Sequence, residues 1–184
     1  MKKIIIGFSG KAEAGKTTAA NAFLEKLAPR DLYDGIVPLA KKMKEQARYL
    51  GWDGKKDEKG RRFLQEVSWP IKHYLGEDIY AKWVLEYANR SYLNVILVDD
   101  VRMLAEVNYF KSLPKDEYEF VLVRIERPGH VSKLTPEQLA DVSETQLDNY
   151  GFDYQVVNDG TIEELGDKLS EILTPRVIEV IRSY

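Results

Sequence analysis

The sequence predicts a three-layer α/β fold: a parallel five-stranded sheet with helices on both faces. Two observations predict it. Short apolar runs bounded by turn residues alternate with stretches of helical periodicity along the whole chain, which is the pattern of strand–helix–strand crossovers. The first apolar run leads into a glycine-rich turn and then a helix, and in such sheets ligands bind beyond the carboxyl ends of the strands. The 184 residues suffice for one full core and not comfortably for two, so residues 1–184 read as a single domain.

Residues 3–9 are apolar and β-branched, bounded by Gly7 and Gly10, and read as a buried strand. Residues 16–28 read as a helix stopped by Pro29, with Ala19, Ala20, Phe23, Leu24 and Leu27 at helical spacing. A short strand over 35–38 and a helix over 39–50 follow. Gly51 to Gly60 reads as a charged loop, Arg61 to Trp69 as a helix interrupted by Pro70, and Glu77 to Asn89 as a further helix. Asn94 to Asp99 is a continuous apolar run ending in acid, Met103 to Leu113 is helical, and Phe120 to Ile125 is a strand. Tyr154 to Val157 is the fifth strand. Thr161 and Glu164 have capping-box spacing at the start of the final helices.

Composition narrows the function classes. Cysteine is absent, which excludes a disulfide framework and a thiolate metal site. No apolar run has the length to cross a bilayer, and the apolar start ends at Gly7, before a signal-peptide core develops. The expected location is therefore the cytoplasm, with no membrane partner. A formal charge of −3 argues against a broad nucleic-acid surface. An anionic small molecule would be caught by a few local Lys and Arg residues.

Gly10-Lys11-Ala12-Glu13-Ala14-Gly15-Lys16-Thr17 matches G-x-x-x-x-G-K-[ST] at every fixed position, with a strand before it and a helix after. Such a loop wraps backbone N–H groups around phosphate oxygens, and the helix adds its positive end. Lys16 is expected on the outer phosphates, Thr17 on Mg²⁺, and Thr18 in the first helical turn beside them. The cofactors implied are ATP and Mg²⁺. Glu13, at the tip of the loop, is expected to face solvent.

A phosphate-transferring site also needs an acid near the metal. Val95-Ile96-Leu97-Val98-Asp99-Asp100 delivers two carboxylates to the active edge. Alternation along a strand would point them opposite ways, and Asp100 is the expected ligand. Arginine forks stabilise the charge that spreads over phosphoryl oxygens. Arg102 lies just past the acidic strand, and Arg124 and Arg127 lie at the end of the next. Arg61 and Arg62 stand in the helical region over about 39–92, where a substrate-binding insertion would sit. Residues of about 127–150 read as a lid, with Thr135-Pro136-Glu137-Gln138 as a helix start and Ser143-Glu144-Thr145-Gln146 at the same capping spacing. A helical lid would exclude water from the reaction.

Together these residues resemble the deoxynucleoside monophosphate kinases of bacteriophages and related bacterial P-loop kinases. The likeness runs nearly end to end. It covers the phosphate loop, Leu39-Ala40 with Lys44, Gly51-Trp52-Asp53-Gly54 with Lys56-Asp57 and Gly60-Arg61-Arg62, and Trp83. It continues through Asp100-Val101-Arg102, Arg127-Pro128-Gly129, Ser143-Glu144 with Leu147-Asp148, and Asn158-Asp159-Gly160. The resemblance implies a P-loop kinase core with a substrate-binding helical region and a lid. It implies a nucleoside monophosphate as acceptor. Arg61, Arg62 and Arg102 then meet the acceptor phosphate, and Lys44 and Trp83 belong to its site. Arg127 sits at the lid hinge near the ATP phosphates, and Asn158 and Asp159 lie in the loop that passes the adenine.

The chain departs from that pattern at Lys42, where Pro is expected, at Asp141, where many relatives have His, and at Asp99, where a small residue or Pro is usual. Animal phosphomevalonate kinases share part of the pattern, here Ser143-Glu144 and Leu147-Asp148-Asn149, so the acceptor could be another phosphate monoester. A nucleotide-driven NTPase switch or a nucleic-acid kinase would also make use of the phosphate loop. The guanine-binding Asn-Lys-x-Asp motif is absent, since Asp159-Gly160 follows Asn158. The subunit count is open, with a homodimer allowed.

Overall fold

The computed structural model describes residues 2–28, 32–55 and 57–183. The strands are β1 (Lys3–Ser9), β2 (Asp34–Ile36), β3 (Val95–Val98), β4 (Tyr118–Glu126) and β5 (Tyr154–Val157). They form one sheet in the order β2-β3-β1-β4-β5, with every neighbouring pair parallel. Among the described residues the helices are α1 (Lys16–Leu27), α2 (Lys41–Tyr49), α3 (Glu58–Leu75), α4 (Ile79–Arg90), α5 (Leu104–Ser112), α6 (Pro136–Leu139), α7 (Val142–Thr145) and α8 (Ile162–Arg182).

β1 is central, so both of its faces are buried, and its run of apolar residues has no polar alternation. Ile4, Ile6 and Phe8 enter one core with Ala19, Ala20, Phe23 and Leu27 of α1 and Leu165, Leu169, Leu173 and Val177 of α8. Ile5 points the other way, into a core with Tyr80, Ala81 and Val84 of α4 and Val107 and Phe110 of α5. These two cores give the three layers. Phe23 is fully buried, and its truncation to Ala would cost about 3–5 kcal/mol.

Pro70, expected to interrupt a helix, lies inside one, and the final helices expected near the C-terminus are a single helix. α3 continues through Pro70 to Leu75, and α8 is one helix through Pro175. Pro70 removes the N–H that would bond the carbonyl of Glu66. Both residues are exposed, so water can take that carbonyl. α3 also starts earlier than the sequence suggests, because Asp57 caps it and accepts the N–H of Gly60 at 2.8 Å. The helix stop expected at Pro29 lies outside the described residues, as does Lys56 of the loop pattern.

The capping box at Thr161 is present, with Thr161 Oγ1 accepting the N–H of Glu164 and Glu164 Oε2 accepting that of Thr161. Thr135 and Gln138 form the expected second box. At α7 the cap is Asp141, which accepts the N–H of Ser143 at 2.8 Å, and not Ser143 itself. No helix among the described residues is long and apolar enough to cross a membrane.

Candidate active site

The glycine-rich turn joins β1 to α1 at the carboxyl edge of the sheet. Gly10 and Gly15 have φ of 148° and 97°, conformations that side chains disfavour. A Cβ on Gly10 would meet the carbonyl oxygen of Ile125 at 2.4 Å, and one on Gly15 would meet Asn158 Nδ2 at 2.4 Å. Asn158 presses that closely because Nδ2 donates to the carbonyl of Ala14 at 3.0 Å. α1 has no side-chain cap and no acid in its first turn. Its first intrahelical bond is Ala19 N–H to the carbonyl of Gly15. The amides of Lys16, Thr17 and Thr18 therefore precede the helical ladder, at the helix's positive end.

Lys16 is nearly sealed, with 6% of its side chain exposed. Nζ donates to the carbonyls of Gly10 at 2.8 Å and Lys11 at 2.9 Å, and lies 3.3 Å from Asp100 Oδ1. Burial pushes its ammonium below the ordinary lysine value, and the Asp100 carboxylate opposes that. The loop thus holds its own lysine folded back on its carbonyls.

The two aspartates do not point apart. β3 ends at Val98, so strand alternation no longer applies to them, and Asp99 and Asp100 line the same cavity. The Val101 N–H donates to the carbonyl of Phe8 at 2.9 Å, which ties this turn to the end of β1 over the phosphate loop. Asp99 Oδ2 accepts the hydroxyl of Thr17 at 3.0 Å. Asp100 Oδ1 accepts Arg102 Nε at 2.7 Å. Burial raises the Asp100 carboxyl, but Arg102 and Lys16 outweigh it and hold the group below the usual carboxylate value.

A cavity of 650 Å³ opens from Thr17, Asp99, Asp100 and Arg102 toward α2 and α3. Lys41, Lys44, Arg48 and Lys72 line it, with Tyr80 and Glu106 also on its wall. Glu106 keeps only 2% of its surface exposed. Its Oε2 accepts the N–H groups of Arg102 and Met103, both at 3.0 Å, capping α5. Burial pushes its carboxyl up to about 7.

Segment 127–150 crosses the loop. Glu13 is exposed, as expected, and also has partners in this segment: its Oε2 lies 3.1 Å from His130 Nε2 and accepts the N–H of Lys133 at 3.1 Å. Arg127 Nη1 reaches the Glu13 carbonyl at 3.5 Å. Lys11 Nζ donates to the Glu144 carbonyl and to Asp148 Oδ2, both at 2.6 Å. The Glu144 carboxylate accepts the Ala12 N–H at 2.7 Å and is paired with Arg102.

The structure brings Lys16, Thr17, Asp99, Asp100, Arg102 and Lys44 to one place. It leaves Arg61 and Arg62 on the exposed first turns of α3, away from the cavity wall, with Arg62 paired to Glu66. Trp83 lines a separate cavity of 280 Å³ between α2 and α4, with Lys42 Nζ 4.6 Å over its ring. Asp159 pairs with Lys168 at 2.6 Å, and Arg124 lies 3.4 Å from Asp148. Lys41, Arg48, Lys72 and Glu106 do not stand out in the sequence. The spacing of Lys41, Lys44 and Arg48 over one helix face is a usable signal for three of the cavity's cations. Lys72 lies hidden behind the expected break at Pro70.

No protein-family model matches the sequence, and no curated protein matches it either. Solved structures do. Shikimate kinase from Aquifex aeolicus superposes with a TM-score of 0.57 at 16% identity, over 95% of this chain and 98% of that one. An APS kinase from Mycobacterium tuberculosis, in complex with AMPPNP and APS, gives 0.52 at 13% identity over 94% and 98%. A sugar kinase from a Janibacter species gives 0.53 at 14% identity over 96% and 98%. The fold is that of the P-loop kinases. Within this P-loop kinase fold the glycine-rich turn, the paired aspartates and the cation-lined cavity share the carboxyl edge of the sheet.

Proposed function

We propose that the protein is an ATP- and Mg²⁺-dependent kinase that transfers the terminal phosphate of ATP to a small phosphate-bearing acceptor, a nucleoside monophosphate. One observation carries this reading. A cavity lined by Lys41, Lys44, Arg48, Lys72 and Arg102 opens directly onto Lys16, Thr17 and Asp99 of the phosphate-loop edge. Glu45, Asp99, Asp100 and Glu106 also line the cavity. Asp99 is bound to Thr17, Asp100 to Arg102 and Glu106 to backbone N–H groups, so the cluster of Lys41, Lys44, Arg48 and Lys72 suits an acceptor that is itself anionic.

The oxygen donors present fit Mg²⁺. Thr17 Oγ1 and Asp99 Oδ2 are hard ligands already 3.0 Å apart, and Mg²⁺ in such sites takes one or two protein oxygens plus phosphates and water. Thr17 and Asp99, rather than the Asp100 expected from sequence, would hold it. Once bound, it neutralises charge on the donor phosphates.

The chain's own groups divide the remaining work. Lys16 leaves the carbonyls of Gly10 and Lys11 for the outer phosphates. Asp100 orients Arg102 through Nε; Nη1, paired with Glu144 in this structure, turns from it to meet the acceptor phosphate. An acceptor phosphate oxygen attacks the terminal phosphorus, a P–O bond forms, and the bond to the ADP oxygen breaks. The attacking oxygen is already anionic, so no strong general base is required. Residues 127–150 act as the lid that keeps water out. Such an enzyme belongs to the cytoplasmic supply of nucleotides.

An acceptor screen tests the proposal: ATP, Mg²⁺ and each common nucleoside monophosphate, plus phosphomevalonate, with ADP release as readout. A nucleoside monophosphate should raise ADP release well above the acceptor-free rate. Stimulation by phosphomevalonate alone would reassign the acceptor, and release indifferent to every acceptor would mark a nucleotide-hydrolysing switch.

A further inference from the structure

Glu144 is a carboxylate in an unusual place. It stands on α7, in the segment over the phosphate loop, and its side chain keeps 4% of its surface exposed. Oε2 accepts the N–H of Ala12 from the loop at 2.7 Å. Oε1 accepts Nη1 of Arg102, the arginine whose Nε is held by Asp100. One donor belongs to the triphosphate side and the other to the acceptor cavity, so the carboxylate lies on the line between them. Burying an anion is costly unless charge-assisted partners surround it. Here the partners are the donors that a transferred phosphate would need.

A plain structural pin would not require this carboxylate. The same segment is already held by Lys11, which donates to the Glu144 carbonyl and to Asp148, and by Leu147, buried in the second core. Lys16 Nζ donates to the carbonyls of Gly10 and Lys11, so the loop's cation and the Ala12 N–H both have partners within the chain.

We propose that the two oxygens of Glu144 stand in for two oxygens of the phosphate that passes from donor to acceptor, so that Glu144 is an intramolecular competitor which the terminal phosphate of ATP must displace. Displacement frees Arg102 at the moment its charge is needed. This rests on the kinase reading only for the name of the ligand, because competition for the loop is a binding property. It predicts discrimination by phosphate number: the terminal phosphate meets Glu144, and the inner ones do not.

The test is calorimetric titration of wild type, Glu144→Gln and Glu144→Ala with Mg²⁺ and ATP, ADP or inorganic tripolyphosphate. Gln keeps the size and one acceptor oxygen but turns an NH₂ toward Arg102. Thermal melting of each variant checks that it is folded. Both variants should bind ATP and tripolyphosphate about tenfold more tightly than wild type, with ADP changed by less than about twofold. Unchanged or weaker ATP binding in the folded variants would overturn the proposal and leave Glu144 as a pin. Equal tightening of ADP would also overturn it, by removing the link to the terminal phosphate. If no form binds either polyphosphate, the phosphate-loop reading falls and this inference with it. If ATP binding behaves as expected and no acceptor is phosphorylated, only the choice of acceptor fails.

Discussion

The hydroxyl of Thr17 donates to Asp99 Oδ2 across 3.0 Å, joining the first turn of α1 to the end of β3. The neighbouring Asp100 instead faces Lys16 and Arg102. Two adjacent carboxylates therefore have different work, and substitution separates them. Asp99→Asn should raise the Mg²⁺ concentration for half-maximal rate by about 10–100-fold. Asp100→Asn should lower kcat while leaving the Mg²⁺ requirement within about twofold. Rate measured against Mg²⁺ concentration for both variants checks this. The reverse pattern would return the metal to Asp100.

Lys16 is buried, and that burial lowers its ammonium below the ordinary lysine value; in the proposed reaction it serves the donor phosphates. Lys16→Ala should lower phosphoryl transfer by at least about a hundredfold. Its thermal midpoint should stay close to that of wild type, because Asp100, the partner left behind, is part-exposed and keeps Arg102 beside it. Paired rate and melting measurements check both halves.

Which cations meet the acceptor is open to direct comparison. Lys72 and Arg48 line the 650 Å³ cavity, and Arg61 and Arg62 do not. Lys72→Ala or Arg48→Ala should raise the acceptor KM by about tenfold, the value of one charge-assisted contact, with the ATP KM little changed. The double variant Arg61→Ala/Arg62→Ala should leave the acceptor KM within about twofold. Steady-state kinetics with each substrate varied separates these outcomes.

Glu106 makes stability depend on pH. Its carboxyl is pushed up from 4.5 to about 7 in the folded chain. Between those values the native state keeps a proton that the unfolded chain has lost, so stability is full below about 4.5 and falls as pH rises toward about 7. The span corresponds to a loss of roughly 3 kcal/mol at most. Glu106→Gln keeps an oxygen for the N–H groups of Arg102 and Met103. It should flatten this dependence and be more stable than wild type above pH ~7. Denaturant titrations at several pH values check the sign.

Sequence and structure agree where a local rule acts alone. β1, the glycine-rich turn, β5 and the boxes at Thr135 and Thr161 are legible because each rests on residues a few positions apart. Pro70 misleads because whether a proline ends a helix depends on the exposure of a carbonyl four residues earlier, which the sequence does not carry. Asp99 and Asp100 mislead because the rule of alternation stops where the strand stops, and Val98 gives no sign of being last. Arg61 and Arg62 suit a phosphate by residue type, but the orientation of α3, set by tertiary packing, places Lys72 and not the arginines at the cavity. Glu13 and Glu144 look like ordinary surface acids in the sequence, because only the folded chain brings Glu13 to His130 and Glu144 to Ala12.

In the proposed reaction the cavity presents an acceptor phosphate to the donor held by the loop. Phosphorus NMR of the protein with ATP, Mg²⁺ and a nucleoside monophosphate follows both products at once. ADP and the diphosphate of the acceptor should accumulate equally, with little free phosphate, and Lys16→Ala should lose both products. ADP accompanied only by inorganic phosphate, at the same rate with and without the acceptor, would contradict the proposed reaction.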